Sequence, residues 1–304
     1  MNVLSIAVPA WTCLTIPFLF HAGDQHTAAT HLMGMWNLEP SILLGCAGLL
    51  LCYIWVQRFR LTAASLFFTA GVLVLLLALA SPLHLLGEHY LFSAHMTQHL
   101  LLVLVVPPLL LLGTPAWLFR KLLRWAPARR AEAILGHPFV AWTLLTVAIF
   151  AWHVPALFNA TLENEPLHIF EHLVFLVTGT IFWWPVMSPL KDRQRLGTGA
   201  AMFYLFAAGV SNCILGIILT FSSPGLYPAY VSPTDPYGIL VHIRYDWGLS
   251  PTIDQQLGGM IMWVPGCLAY IGAILGVMAR WYAAEPSRIT NYELRITNMN
   301  KDNS

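Results

Sequence analysis

Two pairs of histidines, His95/His99 and His168/His172, are each spaced i, i+4. On an α-helix that spacing stacks both imidazoles on one face. Imidazoles suit copper, zinc, iron and nickel, and thioethers select Cu(I), so Met96, Met260 and Met262 are candidate softer ligands. Gln98 lies three residues from His95, and Glu171 three after His168, near the same faces. A carboxylate so placed orients a ligating histidine from behind. His153, with His84 and His89 flanking Glu88, adds imidazoles nearby in sequence. Asp254 and Gln255 open a further apolar stretch and read either as a helix N-cap or as the mouth of the same site. The candidate metal set is therefore His95, His99, His153, His168 and His172. Glu171, Gln98, Asp254, Gln255, His89, Met96 and Met260 are its accessory residues.

The elements that must carry these residues are membrane helices. The chain has 304 residues, 58% hydrophobic and only 10% charged, where a water-soluble domain carries roughly 25% charged residues. A helix crosses the hydrocarbon core in about 20 residues. Seven apolar runs approach that length, at 40–57, 62–82, 95–113, 138–153, 168–187, 199–221 and 257–279. They predict an all-α bundle of about seven spans. Residues 1–39 form an apolar, signal-like segment or extra span with a histidine-bearing stretch, 40–280 the membrane domain, and 281–304 a polar tail. Pro107-Pro108 and Pro265 should kink their helices.

Lys and Arg set the orientation. Of the 15 basic residues, all but Arg244 fall in connections on one side, which the positive-inside rule makes cytoplasmic, together with the C-terminus. Of the 12 histidines, all but His137 then fall on the opposite side, counting His21, His26 and His31 with the outer stretch. Ionisable residues at membrane depth point to function. Trp36, Trp152, Trp247, Tyr227 and Tyr230 fit an outer aromatic belt, and Trp55, Trp117, Trp125, Trp183, Trp184 and Trp281 an inner one. The five cysteines, mostly within spans and without CxxC spacing, read as small apolar residues. The basic clusters are short and juxtamembrane, which gives no nucleic-acid signature. No GxSxG, P-loop or dinucleotide fingerprint is present, and HIFEH is not the HExxH order. Nothing here supports nucleophilic hydrolysis.

Several stretches resemble the CtaG family of caa-type cytochrome c oxidase assembly factors. They are HMTQHLL from His95, followed by Pro107-Pro108 and Leu112-Gly113-Thr114-Pro115; WHVPALF from Trp152; His168 to His172 with Phe182-Trp183-Trp184-Pro185; and DQQLGG from Asp254 with Met262-Trp263-Val264-Pro265-Gly266. The resemblance runs from about 40 to 280, with the motifs in order. It implies a bacterial plasma-membrane protein that supports the maturing oxidase and its subunits, with copper delivery as its role. It carries His95, His99, His153, His168, His172 and Asp254 over as site residues.

The reading is an assembly factor, not an enzyme, that holds copper near the outer face. Its rivals are a haem-binding redox protein, since histidines on two helices can ligate haem, and a metal-ion transporter. Low pH should weaken metal binding, because protonated imidazoles are not ligands.

Overall fold

The computed structural model describes residues 34–58, 62–190, 192 and 196–284. The N-terminal segment to residue 33, with His21, His26 and His31, and the tail from 285 lie outside the described residues. The described residues form helices and the connections between them, and no strand occurs among them. The helices are α1 (Pro40–Val56), α2 (Ala63–Ala80), α3 (Pro82–His89), α4 (Phe92–Leu100), α5 (Val106–Gly113), α6 (Ala116–Leu122), α7 (Ala126–Leu135), α8 (Pro138–Trp152), α9 (Pro155–Glu163), α10 (Glu165–Met187), α11 (Thr198–Phe221), α12 (Pro228–Val231) and α13 (Pro251–Ala283). A π-helical turn, Leu101–Val105, makes α4 and α5 one continuous rod.

All seven apolar runs are helical, but not all are long enough to be spans. Five helical rods have the length and composition to cross a bilayer: α2, α4–α5, α10, α11 and α13. α8 has 15 residues and α1 has 17, short of the roughly 20 a straight crossing needs. α7 does not extend α8 in line, because the chain bends by 75° between them. Among the described residues, five helical rods thus have the length and composition of spans, or six if α7 and α8 form one broken span.

Local sequence explains where the helices start. Thr62 and Ser65 form a capping box at the head of α2. Asn164 accepts from Leu167 N (3.0 Å) ahead of Pro166, so α10 begins three residues earlier than its apolar run. Ser250 and Pro251 do the same for α13, which stays one 33-residue helix through Pro265. The double proline of the α4–α5 rod acts differently. Pro107 cannot donate to the carbonyl four residues back, Val103 O. That oxygen accepts instead from Trp183 Nε1 on α10 at 3.0 Å. The π turn falls on this spot, one turn past His99.

α11 and α13 pack backbone against backbone. A Cβ added at Gly216 would lie 2.6 Å from Trp263 N, and one at Gly259 would lie 2.5 Å from Thr220 N. Only glycine lets the two backbones approach so closely. The same approach brings Cys213 and Cys267 face to face, with Cα atoms 6.4 Å apart and their sulfurs bonded. The expectation of purely packing cysteines is corrected for this pair; Cys46 and Cys52 are free. Outward-facing Leu66, Phe203 and Phe221 are exposed, as suits lipid contact rather than water. The aromatic belts are also partly corrected. Trp152, Tyr227, Tyr230, Trp183 and Trp184 are buried. Each of the two inner tryptophans donates its indole N–H to a protein oxygen, Val103 O and Glu132 Oε1 respectively.

Gly216→Ala should lower the thermal midpoint in detergent by several degrees, since overpacking two backbones costs roughly 1–3 kcal/mol. Gly45→Ala, where an added Cβ meets nothing within 4 Å, should not.

Candidate metal centre

α4 and α10 meet at the end of the bundle that also carries α3, α9 and α12, and their histidine pairs face each other. Within each pair the ring centroids are 4.2 Å apart for His95–His99 and 4.3 Å for His168–His172. Across the helices, His95 lies 5.2 Å from His168 and His99 lies 5.7 Å from His172. Glu171, from the same face of α10, enters between them. Its carboxylate oxygens stand 3.9 Å from His95 Nε2 and 3.7 Å from His99 Nε2. His95, His168, Glu171 and His172 each offer a ligand atom within 4.8 Å of the others, and all four are buried.

The facing atoms are unpartnered. His95 Nε2, His168 Nε2, His172 Nε2, both nitrogens of His99 and both oxygens of Glu171 are buried without a hydrogen bond. The hydroxyl of Thr161, close to Glu171, donates to Phe158 O at 2.7 Å. The outward-facing nitrogen of His95 is fixed. Tyr230 OH donates to Gly87 O at 2.6 Å, and its oxygen lies 3.1 Å from His95 Nδ1. The phenol has one proton, and Gly87 takes it. His95 Nδ1 must therefore carry the proton toward Tyr230, which leaves the Nε2 lone pair pointing into the cluster. Burial holds the Tyr230 phenol well above its ordinary pKa, so that proton stays in place. Gly87 permits the contact, because a Cβ there would sit 2.9 Å from His95 N. His153, at the end of α8, is held the same way, with Nδ1 2.7 Å from Ile149 O. A ligating histidine commonly donates its other ring N–H to a carbonyl in this manner.

The remaining candidates separate. Met96 is fully buried with Sδ 3.2 Å from His153 Nε2. Gln98 donates to Ala78 O (2.9 Å) and to His84 Nδ1 (3.1 Å), while its own Oε1 is unpartnered. Asp254 and Gln255 do not form the mouth of the site. Asp254 caps the first turn of α4, a different helix, accepting from Phe92 N (2.7 Å), Ser93 N (3.1 Å) and Ser93 Oγ (2.6 Å). Gln255 accepts from Gly225 N and Leu226 N and donates to Ser222 Oγ, which pins the connection after α11. His89 lies at the surface beside Tyr90 and Tyr237, its side chain 31% exposed. Met260 is 45% exposed on the outer side of α13, so the expectation that it is a softer ligand is corrected. Met35 is buried among Leu85, Tyr90 and Ile243.

His84 and Tyr230 were underrated by sequence. His84 packs against His168 and His172, with ring centroids at 5.6 and 6.1 Å. Burial pushes its imidazole below the ordinary pKa, in keeping with an Nδ1 that accepts from Gln98. Its signal was the Ser81-Pro82 helix start, which places His84 and Glu88 one turn apart. Tyr230 and Tyr227 come from the connection after α11, which folds inward over the cluster. Tyr227 OH donates to His153 O at 2.8 Å. Arg244 holds that connection down by donating to Tyr230 O and Leu249 O.

Fold and site together define a polytopic helical membrane protein with a buried histidine–carboxylate cluster at one end. The chain belongs to the cytochrome c oxidase caa3 assembly factor family (Caa3_CtaG), whose family model matches residues 49–284. It is similar to uncharacterized proteins of Mycobacterium bovis and Mycobacterium tuberculosis, each 26% identical over 326 aligned residues, covering 96% of this chain and 45% of theirs. A third, from Mycobacterium leprae, is 27% identical over 205 residues, covering 62% of this chain and 30% of its own. The chain thus spans less than half the length of these curated relatives. No solved structure matches it.

Tyr230→Phe should release the His95 tautomer, visible as a second Nδ1/Nε2 pattern in ¹⁵N-histidine NMR. Asp254→Ala should cost about 0.5–2 kcal/mol in thermal stability through the lost cap.

Proposed function

We propose that this protein binds copper in the His95–His168–Glu171–His172 cluster, with His99 beside it, and supplies it to cytochrome c oxidase during assembly. The observation that carries the reading is the convergence of four ligand groups within 4.8 Å whose facing atoms have no protein partner. Each buried polar atom left unpaired costs roughly 1–3 kcal/mol. A cation at their centre satisfies them together. Neutral imidazoles with one ionised carboxylate also balance the charge of Cu(I), which a low-dielectric interior favours. Membership in an oxidase assembly family and the thioether of Met96 beside the cluster favour copper over zinc.

Family membership favours a bacterial plasma membrane, and the one-sided distribution of basic residues supports an orientation with the histidine end facing away from the cytoplasm. Metal then reaches the site from the outer side, beneath the connection that carries Tyr227 and Tyr230. The haem alternative fits the packing less well. Phe158 and Phe175 lie against the imidazoles, with ring centroids 5.0 Å from His95 and 4.5 Å from His99, where a porphyrin would have to enter.

Metal analysis with an absorption spectrum separates these readings. The wild-type protein should carry copper and show no Soret band. His95→Ala/His168→Ala should lose at least about tenfold in copper content, and acid should strip the wild type as protons compete for the same lone pairs. Equal copper in both proteins would remove the cluster from the function, and a Soret band lost in the variant would replace copper with haem.

A further inference from the structure

The histidines do not converge on a single point. His95, His168, Glu171 and His172 share one focus. His153 lies outside it, next to Met96. Met96 follows His95 by one residue, so it leaves α4 about 100° around the helix from the His95/His99 face. Its sulfur nevertheless meets a ring nitrogen, His153 Nε2, at 3.2 Å.

The proton inventory of that contact is incomplete. His153 lies 2.7 Å from Ile149 O through Nδ1, and a carbonyl oxygen can only accept. In the neutral ring, Nε2 is then a bare lone pair. A thioether has no proton to give. Two electron-pair donors therefore face each other in a buried place with nothing between them to bond. His99 stands between the two foci, 5.7 Å from His172 and 5.8 Å from His153 by ring centroid, with both of its nitrogens unpartnered. A void of about 10 Å³ touches His99 and His153 but not Met96, and the rest of its lining is mostly apolar, including Leu100, Leu104, Ile149 and Phe175; it is the size of a single water-sized sphere.

We propose a second metal position formed by Met96 Sδ and His153 Nε2, with His99 shared between it and the first cluster, selective for Cu(I). It rests on the reading that the first cluster takes metal. Thioether with imidazole is a soft, low-charge donor set that favours Cu(I) over zinc or Cu(II). The first cluster, with its carboxylate, is the harder of the two. The shared His99 gives a bound ion a ligand it keeps while exchanging the others, so copper passes between the positions without ever being bare.

The test loads purified full-length protein anaerobically with Cu(I), counts copper per chain and reads the ligands by X-ray absorption. Met96→Leu keeps the side-chain volume and costs little stability, which thermal unfolding checks. Wild type should hold two coppers, with sulfur in the scattering shell. Met96→Leu should hold one, with nitrogen and oxygen only, and His153→Ala should lose the same copper. One copper with nitrogen and oxygen ligands in the wild type overturns the second position and leaves the first standing. One copper with sulfur in its shell merges the two positions and also overturns the proposal, as does sulfur scattering that persists in Met96→Leu. No copper at all overturns both readings.

Discussion

The site depends on where α4 begins. The first turn of any helix has backbone N–H groups without intrahelical partners, and Leu91, at the head of α4, has no side chain to serve them. Asp254 serves them from α13, 162 residues away in sequence. Its carboxylate also sits at the positive end of the helix dipole. This contact fixes the depth of His95 and His99, and so lets them meet the pair on α10. The neighbouring Gln255 ties the same turn of α13 to the connection that covers the cluster. One turn of α13 thereby positions both the floor and the roof of the site.

Around the cluster, polar groups are paired almost throughout. Tyr227, Tyr230, Gln255, Asp254 and Trp183 all have hydrogen-bond partners. Unsatisfied atoms concentrate instead on the inward faces of the histidines and Glu171. A framework so thoroughly satisfied marks its unsatisfied centre as a place for something else, since buried polar atoms in folded proteins are ordinarily bonded. The Tyr230–His95 contact extends this logic to the surface connection, which chooses which nitrogen of His95 is available.

Much of this was legible in sequence because the signals were local. Apolar length marked the helices, and i, i+4 spacing put each histidine pair on one face. Their mutual approach followed from both pairs lying near the same end of their helices. What sequence could not show came from distant partners. Asp254 looks like a cap for its own helix, yet Ser250 takes that role and Asp254 caps another. Tyr230 looks like an interfacial aromatic because nothing local indicates that its connection folds inward onto a residue 135 positions earlier. Met260 and Met262 are equivalent by composition, but only Met262 faces inward, its neighbour lying on the outer side of the helix. The span count is also more than apolar length can decide: α8 is apolar throughout but short, and a bend of 75° separates it from α7.

The π turn between His99 and Pro107 holds one residue more than an α-helix of equal height would. Its two flanking halves are therefore phased differently, by about 100° of azimuth per inserted residue. The lower half keeps its apolar stripe toward α2 while the upper half aims its imidazoles at α10. Were that turn regular, a single continuous helix would have to choose between burying its leucines and aiming its histidines. The local unwinding frees the rod from that choice, so the histidine-bearing half and the apolar half answer to separate geometric demands.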